Sequence, residues 1–286
     1  MVGGIPARFP GWLTWVLPLT MLLSILTAFT SYAHPAIDTW PAPVPDSIAQ
    51  RSALLLVDAD RGTQTRVPLD TAENVWLPDP LPDGSRIVVS AANGEEGSLL
   101  VLQPDGSEPQ LLWRGQGRFN HPAVSPDGAR IAFTAEVEDG NAEIFVIPVE
   151  GGEPQRLTND PAIDWGPTWS TDSESITFVS DRNGDADLYT VAAAGGDPIR
   201  LTDLQGNEGA PDWSPDGSRI AFEADMDGDY EIYVMEADGS GLVPLTVNDA
   251  FDGGPAWSPG GESIAFISDR DGNAELYVGD VGGNEQ

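Results

Sequence analysis

The 286-residue chain has no cysteine, no lysine and only two histidines, His34 and His121. Without cysteine it has no disulfides, no thiolate nucleophile and no thiolate-bound zinc. Without lysine it has no Schiff-base residue and no phosphate-loop lysine. All 13 basic residues are arginines, and they face 46 acidic residues for a net charge of -33. A surface so short of cations repels nucleic acid, because a binder must neutralise phosphates. It favours solubility, divalent cations or a basic partner.

Charge is also scarce at the N-terminus, where Arg8 is the only charged side chain in residues 1–33. Gly11–Thr30 is a near-continuous apolar run of the length that spans a bilayer. Ser31-Tyr32-Ala33 then places small residues where a signal peptidase reads. Residues 1–33 are therefore expected to be an export signal, cleaved after Ala33 or retained as an N-terminal membrane anchor. Cleavage leaves a periplasmic or extracellular protein; retention tethers it to the cytoplasmic membrane through residues 11–30 alone. Residues 34–51, with several prolines, are expected to form an extended linker.

The rest, residues 52–286, is periodic. Pro211–Phe222 reads PDWSPDGSRIAF, Pro122–Phe133 reads PAVSPDGARIAF, and Pro255–Phe266 reads PAWSPGGESIAF. Pro167–Phe178 and the worn copy Pro78–Val89 complete the series. The marker column Leu81, Ser125, Ser170, Ser214 and Ser258 advances by 44, 45, 44 and 44 residues. A column of Val89, Phe133, Phe178, Phe222 and Phe266 keeps that step, as do Val101, Phe145, Tyr189, Tyr233 and Tyr277. Each unit reads as four short strands, A to D, separated by turn signals. In Ser-Pro-Asp-Gly, Pro presets φ, Asp bonds back to the backbone and Gly takes the positive φ. Four-stranded units of this period predict an all-β fold, a β-propeller whose aromatic columns pack between blades. Five inner strands give five blades, or six if the first unit is degenerate. The N-terminal D-like strand Gln64–Leu69 is expected to complete the last blade and close the ring. That leaves Ala53–Val57 as a surplus strand.

Pro-x-Trp-Ser-Pro-Asp-Gly, the segment Ser180-Asp181-Arg182-Asn183-Gly184 with Leu188-Tyr189, and Arg200-Leu201-Thr202 together resemble the WD40-like (PD40) repeat of TolB-type propellers. The resemblance covers roughly residues 52–281 and implies a β-propeller of an exported protein that binds other proteins or peptides in the cell envelope or outside the cell. Related propellers cap the active sites of prolyl oligopeptidase-like enzymes. The α/β domain that precedes the TolB propeller, and a hydrolase domain after it, have no counterpart in these residues.

Alternation of strand direction puts B–C turns and D–A loops on one face, and both are rich in acids. Asp164, Glu208 and Asp252 each lie six residues before a marker serine, at the start of strand A. With Trp165 and His121 they are expected to ring the channel mouth and to hold a divalent cation or a cationic group of a partner. Asp225-x-Asp227-Gly228-Asp229-x-Glu231 resembles part of a calcium loop, but counted from Glu223 its twelfth position is Val234, so it fails the EF-hand pattern. No Gly-x-Ser-x-Gly elbow is present, and His121 is the only histidine after the linker. The expectation is a non-catalytic protein- or peptide-binding propeller with no cofactor. The alternatives are a cation-dependent propeller hydrolase, with calcium as its cation, and a carbohydrate or ligand binder that stacks sugars on Trp76 and Trp165.

Overall fold

Short alternating segments between glycine-containing turns form antiparallel sheets throughout the computed structural model, which describes residues 55–58, 63–66, 74–93, 96–137, 140–226 and 228–282. The export segment and the linker lie outside the described residues. A hairpin of β1 (Leu55–Asp58) and β2 (Thr63–Arg66) comes first. Blade 1 comprises β3 (Asn74–Pro80), β4 (Ile87–Asn93), β5 (Glu96–Leu102) and β6 (Gln110–Gln116). Blade 2 comprises β7 (Phe119–Val124), β8 (Arg130–Glu136), β9 (Ala142–Pro148) and β10 (Gln155–Arg156). Blade 3 comprises β11 (Asp164–Trp169), β12 (Ser175–Ser180), β13 (Asp187–Ala192) and β14 (Ile199–Arg200). Blade 4 comprises β15 (Glu208–Trp213), β16 (Arg219–Asp225), β17 (Tyr230–Glu236) and β18 (Val243–Pro244). Blade 5 has three described strands, β19 (Asp252–Trp257), β20 (Ser263–Ser268) and β21 (Glu275–Asp280).

Blades 1 to 4 each bury one face against the next blade. Ala221, Ile232 and Val234 of blade 4 meet Trp257, Ile264 and Phe266 of blade 5. Val88, Leu99 and Val101 of blade 1 likewise meet Phe119, Ile131 and Phe133 of blade 2. The phenylalanine column Phe133, Phe178, Phe222 and Phe266 is buried throughout. Each such ring is worth roughly 1.5–3 kcal/mol of apolar burial. Each stacks on its strand-C partner, with centroids 5.7 Å apart for Phe133–Phe145 and 6.0 Å for Phe222–Tyr233. The Ser-Pro-Asp-Gly turn forms as its residue types dictate. Ser214 Oγ donates to Asp216 Oδ1 at 2.6 Å, Asp216 also accepts from Ser218 N, and Gly217 has φ 71°. These bonds push the exposed Asp216 carboxyl down to about 2.

Two features depart from the sequence expectation. The N-terminal strand does not close the ring among the described residues: Thr63–Arg66 pairs with Leu55–Asp58, and β21 pairs with β20 alone. Residues 67–69 of the expected closing strand lie outside the described residues. Secondly, the innermost strand of every blade is bulged. Register shifts fall between Trp76 and Asp79, Asn120 and Ala123, Trp165 and Thr168, Gly209 and Asp212, and Gly253 and Ala256. At each bulge one residue takes positive φ: Leu77, His121, Gly166, Ala210 and Gly254. The repeated proline follows it, where no ladder hydrogen bond is needed.

Candidate functional site

The innermost strands β3, β7, β11, β15 and β19 touch one another in sequence and so surround the axis of the array. The acids of the B–C turns and D–A loops form three sets, of which Asp160, Asp181, Asp225 and Asp229 are half-buried. Asp185, Asp203, Asp249, Asp269, Asp271 and Glu275 are exposed. Glu143, Asp164, Asp187, Glu208, Glu231 and Asp252 are buried.

The three carboxylates expected at the channel mouth belong to the buried set, because each starts an inner strand and is drawn into the seam between blades. Asp164 is held by Arg182, whose Nη2 donates to both carboxylate oxygens at 3.0 and 2.9 Å. Arg182 Nε donates to Ser180 Oγ, and the guanidinium lies over the Tyr189 ring at 4.6 Å. Burial raises the Asp164 carboxyl above its ordinary value, against the pull of Ser180 and Arg182. Asp252 is held in the same way by Arg270, at 3.3 and 3.0 Å, with Ser268 and Tyr277 in the same roles. Both arginines come from the Ser-Asp-Arg turn of their own blade.

Blade 4 breaks this rule. Its turn reads Ala224-Asp225-Met226, so a thioether stands where the guanidinium would be. Glu208 takes a short hydrogen bond from Thr202 Oγ1, and its Oε1 has no hydrogen-bond partner. Burial, with Asp187 nearby, pushes Glu208 up to about 7. The loop before it passes so close to the turn that a Cβ on Gly206 would sit 1.6 Å from Asp225 O.

The other two expected residues are also part of the fold. Trp165 is half-buried against the cluster of Val179, Leu188 and Phe222. His121 occupies the bulge of blade 2 at φ 50°, and its buried Nδ1 has no hydrogen-bond partner. Burial pushes the imidazole down to about 4. The five residues are thus spread over the inner strands of four blades. The side chain of Trp76 lies outside the described residues.

Two carboxylates that pattern reading missed stand on the inner strands β3 and β15. Asp79 Oδ2 accepts from Val124 N at 2.6 Å, and Asp212 Oδ2 accepts from Trp257 N at 2.7 Å. Each clasps the inner strand of the next blade. Burial pushes Asp79 up to about 7, with a further contribution from Asp212, although the two stand on blades 1 and 4. Asp212 is pushed up to about 6. Both keep some solvent access while surrounded by protein, as channel-wall groups do. Their only signal in the sequence is an acid two residues before the marker, where the other units have Ala or Thr.

Among the described residues no group of three or more His, Asp or Glu side chains is arranged to hold a metal ion. The calcium-like turn is a hydrogen-bonded loop in which Asp225 Oδ1 accepts from Gly228 N at 3.0 Å. Its Glu231 is turned inward, close to Asp252 and accepting from Asn248. A cleft of about 1180 Å³ opens on the same face beside blade 2, with Glu136, Asn141, Arg156 and Asp160 in its wall. Arg156 there is already committed to the buried Glu143 at 2.6 Å. The arrangement supplies a broad acidic surface, with Asp185, Asp203, Asp249, Asp269, Asp271 and Glu275 exposed, which suits binding of cationic groups.

Comparison with known proteins agrees with this architecture. A putative TolB from Agrobacterium tumefaciens superposes with a TM-score of 0.68 at 30% identity, over 80% of this chain and 85% of that one. TolB from Acinetobacter baumannii superposes with a TM-score of 0.69 at 24% identity, over 82% and 58%. The Tol-Pal system protein TolB of Anaeromyxobacter dehalogenans is 36% identical over 117 residues, 41% of this chain and 26% of that protein. An uncharacterised peptidase, YuxL, of Bacillus subtilis is 35% identical over 111 residues, and 17% of its length is covered. This chain therefore spans only a minor part of the curated relatives it matches. Residues 44–203 and 200–286 match the TolB beta propeller domain (PD40), and the chain belongs to that family.

Proposed function

We propose that the protein is an exported, non-catalytic propeller that binds a protein or peptide in the cell envelope. The observation that carries this is the family match along the whole repeat region, joined to a likeness covering most of a putative TolB structure. The N-terminal apolar run supports export, and the relatives' assignment to the Tol-Pal system supports an envelope setting. The contact surface in this reading is the exposed acidic ring, centred on Asp185, Asp203 and Asp249, and the partner's complementary surface is basic. The buried carboxylates Asp164, Glu208 and Asp252, with Trp165 and His121, shape the channel mouth beneath it. The reading needs no cofactor.

Photo-cross-linking from Asp185, Asp203 and Asp249 in cell envelopes tests it. A discrete partner is expected, and capture should weaken as salt is raised, because exposed charges are screened. If the triple serine variant captured the same partner equally well, the acidic face would not be the contact surface. Calcium titration by calorimetry is expected to show no binding at millimolar concentration. Saturable calcium uptake with a gain in hydrolytic activity would favour an enzyme instead.

A further inference from the structure

On the face opposite the acidic ring, tryptophans end the inner strands of blades 3, 4 and 5, and two of them are capped in the same way. Arg130, at the start of strand B in blade 2, lays its guanidinium over the Trp169 ring of blade 3 at 4.8 Å and donates from Nη2 to Ser173 O at 2.6 Å. Arg219 of blade 4 lies over Trp257 of blade 5 at 4.7 Å and donates to Gly261 O at 3.2 Å. Ser173 and Gly261 hold the same place in their turns, the fourth residue counted from the marker serine. Each cap is thus a ring, a turn carbonyl and an arginine lent by the preceding blade. Capped in this way, Trp169 is 4% and Trp257 6% exposed.

The seam between blades 3 and 4 keeps the ring and the turn but not the arginine. Ser175 stands where Arg130 and Arg219 stand, and Gly217 where Ser173 and Gly261 stand. The turns of the two blades still meet, since a Cβ on Gly217 would come 2.3 Å from Thr171 Oγ1. Trp213 packs on the core of this seam but is only half-buried, and among the described residues no guanidinium lies over it. Its N–H is turned to Thr177 Oγ1 at 3.2 Å, whereas Trp169 and Trp257 donate to the inner-strand carbonyls of Ala123 and Asp212. Thr177 takes the place of Ala132 and Ala221, so two changes on β12 re-seat the ring and remove its cap. Blade 1 shows the converse: Arg86 finds Val124 in the tryptophan's place and turns to Glu150 at 2.9 Å. The fold therefore forms with either half of the pair alone.

The turns that border Trp213 carry Asp172, Glu174 and Asp216, all exposed. Hydrogen bonds from Ser170 and Glu174 N hold Asp172 below the usual carboxylate range, and those from Ser214 and Ser218 hold Asp216 at about 2, so both stay charged. A half-buried indole bordered by carboxylates favours a cation that can also stack on the ring, and a guanidinium does both.

We propose that Trp213, the Gly217 carbonyl and the carboxylates of Asp172, Glu174 and Asp216 form a binding site for an arginine side chain of a partner protein, which takes over Trp213 the place that Arg130 and Arg219 take over Trp169 and Trp257. The source of that arginine rests on the protein-binding reading, and the site gives the partner a second point of contact, away from the acidic ring.

The test uses the full chain labelled with 5-fluorotryptophan. The probe is N-acetylarginine amide, with the neutral isostere N-acetylcitrulline amide beside it at equal ionic strength. Fluorine NMR follows each indole, with Trp213→Phe assigning the Trp213 signal. That signal should shift saturably with the arginine probe, while those of Trp169 and Trp257 stay in place. The citrulline probe should bind at least about fivefold more weakly, the scale of a half-buried cation–π contact. Ser175→Arg should move the Trp213 signal in the free protein and abolish its response to the probe, because the chain then caps its own ring. A Trp213 signal that does not shift saturably, an equal response to citrulline, or a response unchanged by Ser175→Arg would overturn the proposal. Cross-linking from Asp185 in cell envelopes separates the two claims. A silent Trp213 with capture retained removes this site alone. A responsive Trp213 with no capture by the wild-type chain removes the binding reading, and with it a partner as the source of the arginine.

Discussion

Met226→Arg should stabilise the protein, and by an amount that grows with pH. Arg182 and Arg270 each lie 18 residues after the carboxylate they hold, and Met226 lies 18 after Glu208. The aromatic platform for a guanidinium is present in blade 4, since Phe222 and Tyr233 stack as Phe178 and Tyr189 do, at 6.0 Å in both. In the wild-type chain Glu208 rises from 4.5 to about 7. With the folded-state pKa above the unfolded one, the carboxyl's contribution is full below about pH 4.5. It is lost progressively as the pH rises and is gone above about 7. The loss is roughly 3 kcal/mol at 1.36 kcal/mol per unit. A guanidinium beside Oε1 removes most of that penalty. Against it stand the lost packing of Met226 and the desolvation of the arginine, together about 1–2 kcal/mol. The expected net gain at pH 8 is about 1–2 kcal/mol, or roughly 2–8 °C in thermal midpoint for a domain of this size. At pH 5, where Glu208 is largely protonated, the gain should vanish or reverse. Differential scanning calorimetry of wild type, Met226→Arg and Met226→Leu at both pH values gives the comparison. A Met226→Arg midpoint that tracks Met226→Leu at both pH values would refute the reasoning.

Other consequences follow from the same geometry. Ala210→Gly should stabilise by about 0.5–1 kcal/mol in denaturant titrations, because Ala210 holds φ 47° at a bulge where blades 3 and 5 use glycine. Gly206→Ala should destabilise by more than about 2 kcal/mol, since its Cβ would occupy the position of Asp225 O and the loop must move. The double variant Asp79→Asn/Asp212→Asn should raise the midpoint at pH 8 and leave it nearly unchanged at pH 5, because both carboxyls are protonated in the folded state at the lower pH. Wild type should itself be more stable at pH 5 than at pH 8, as Asp79, Asp212, Glu208 and Glu231 all have raised pKa values and so lose stability as pH rises. His121, lowered to about 4, acts in the opposite sense: its contribution is present above about pH 6.5 and is lost as pH falls towards 4, so His121→Asn should flatten the acid limb.

The repeat was legible because it is written in residue types with fixed conformational meaning. Ser-Pro-Asp-Gly can form only a few turns, and an aromatic recurring every 44 or 45 residues must be packed against something equivalent each time. The burial of Asp164 and Asp252 was not read from the sequence, although its signal is there in the constant spacing to Arg182 and Arg270. A loop acid looks solvated until its partner is counted, and the Ser-Asp-Arg turn supplies that partner through tertiary contact and not through adjacency. Trp165 and His121 looked like ligands for a similar reason, since a tryptophan or histidine near a turn reads the same whether it faces a channel or a neighbouring blade. The bulges were hidden because Leu77 and Ala210 are residue types that rarely take positive φ. There the local preference is overridden by the ring, which makes every inner strand turn at the same height.

Asp79 and Asp212 show the limit of one-dimensional reading most clearly. They are 133 residues apart, in units that share no contact along the sequence, and yet one acts on the charge state of the other. Only the curving of successive inner strands around an axis brings blades 1 and 4 within electrostatic reach. The phase of a residue along its strand explains why acids of identical type on one face have opposite roles. Those at strand ends are buried, where burial forces pairing or protonation, and Arg156–Glu143, Arg182–Asp164, Arg200–Asp187 and Arg270–Asp252 each tie one blade to itself. Those two or three residues away, in the turns, stay hydrated and charged, and they set the potential that a partner meets. A carboxylate's role in this fold is therefore decided by its phase within the repeat, and Glu208 and Glu231 stand out because Met226 and Pro244 occupy the positions from which other blades supply an arginine.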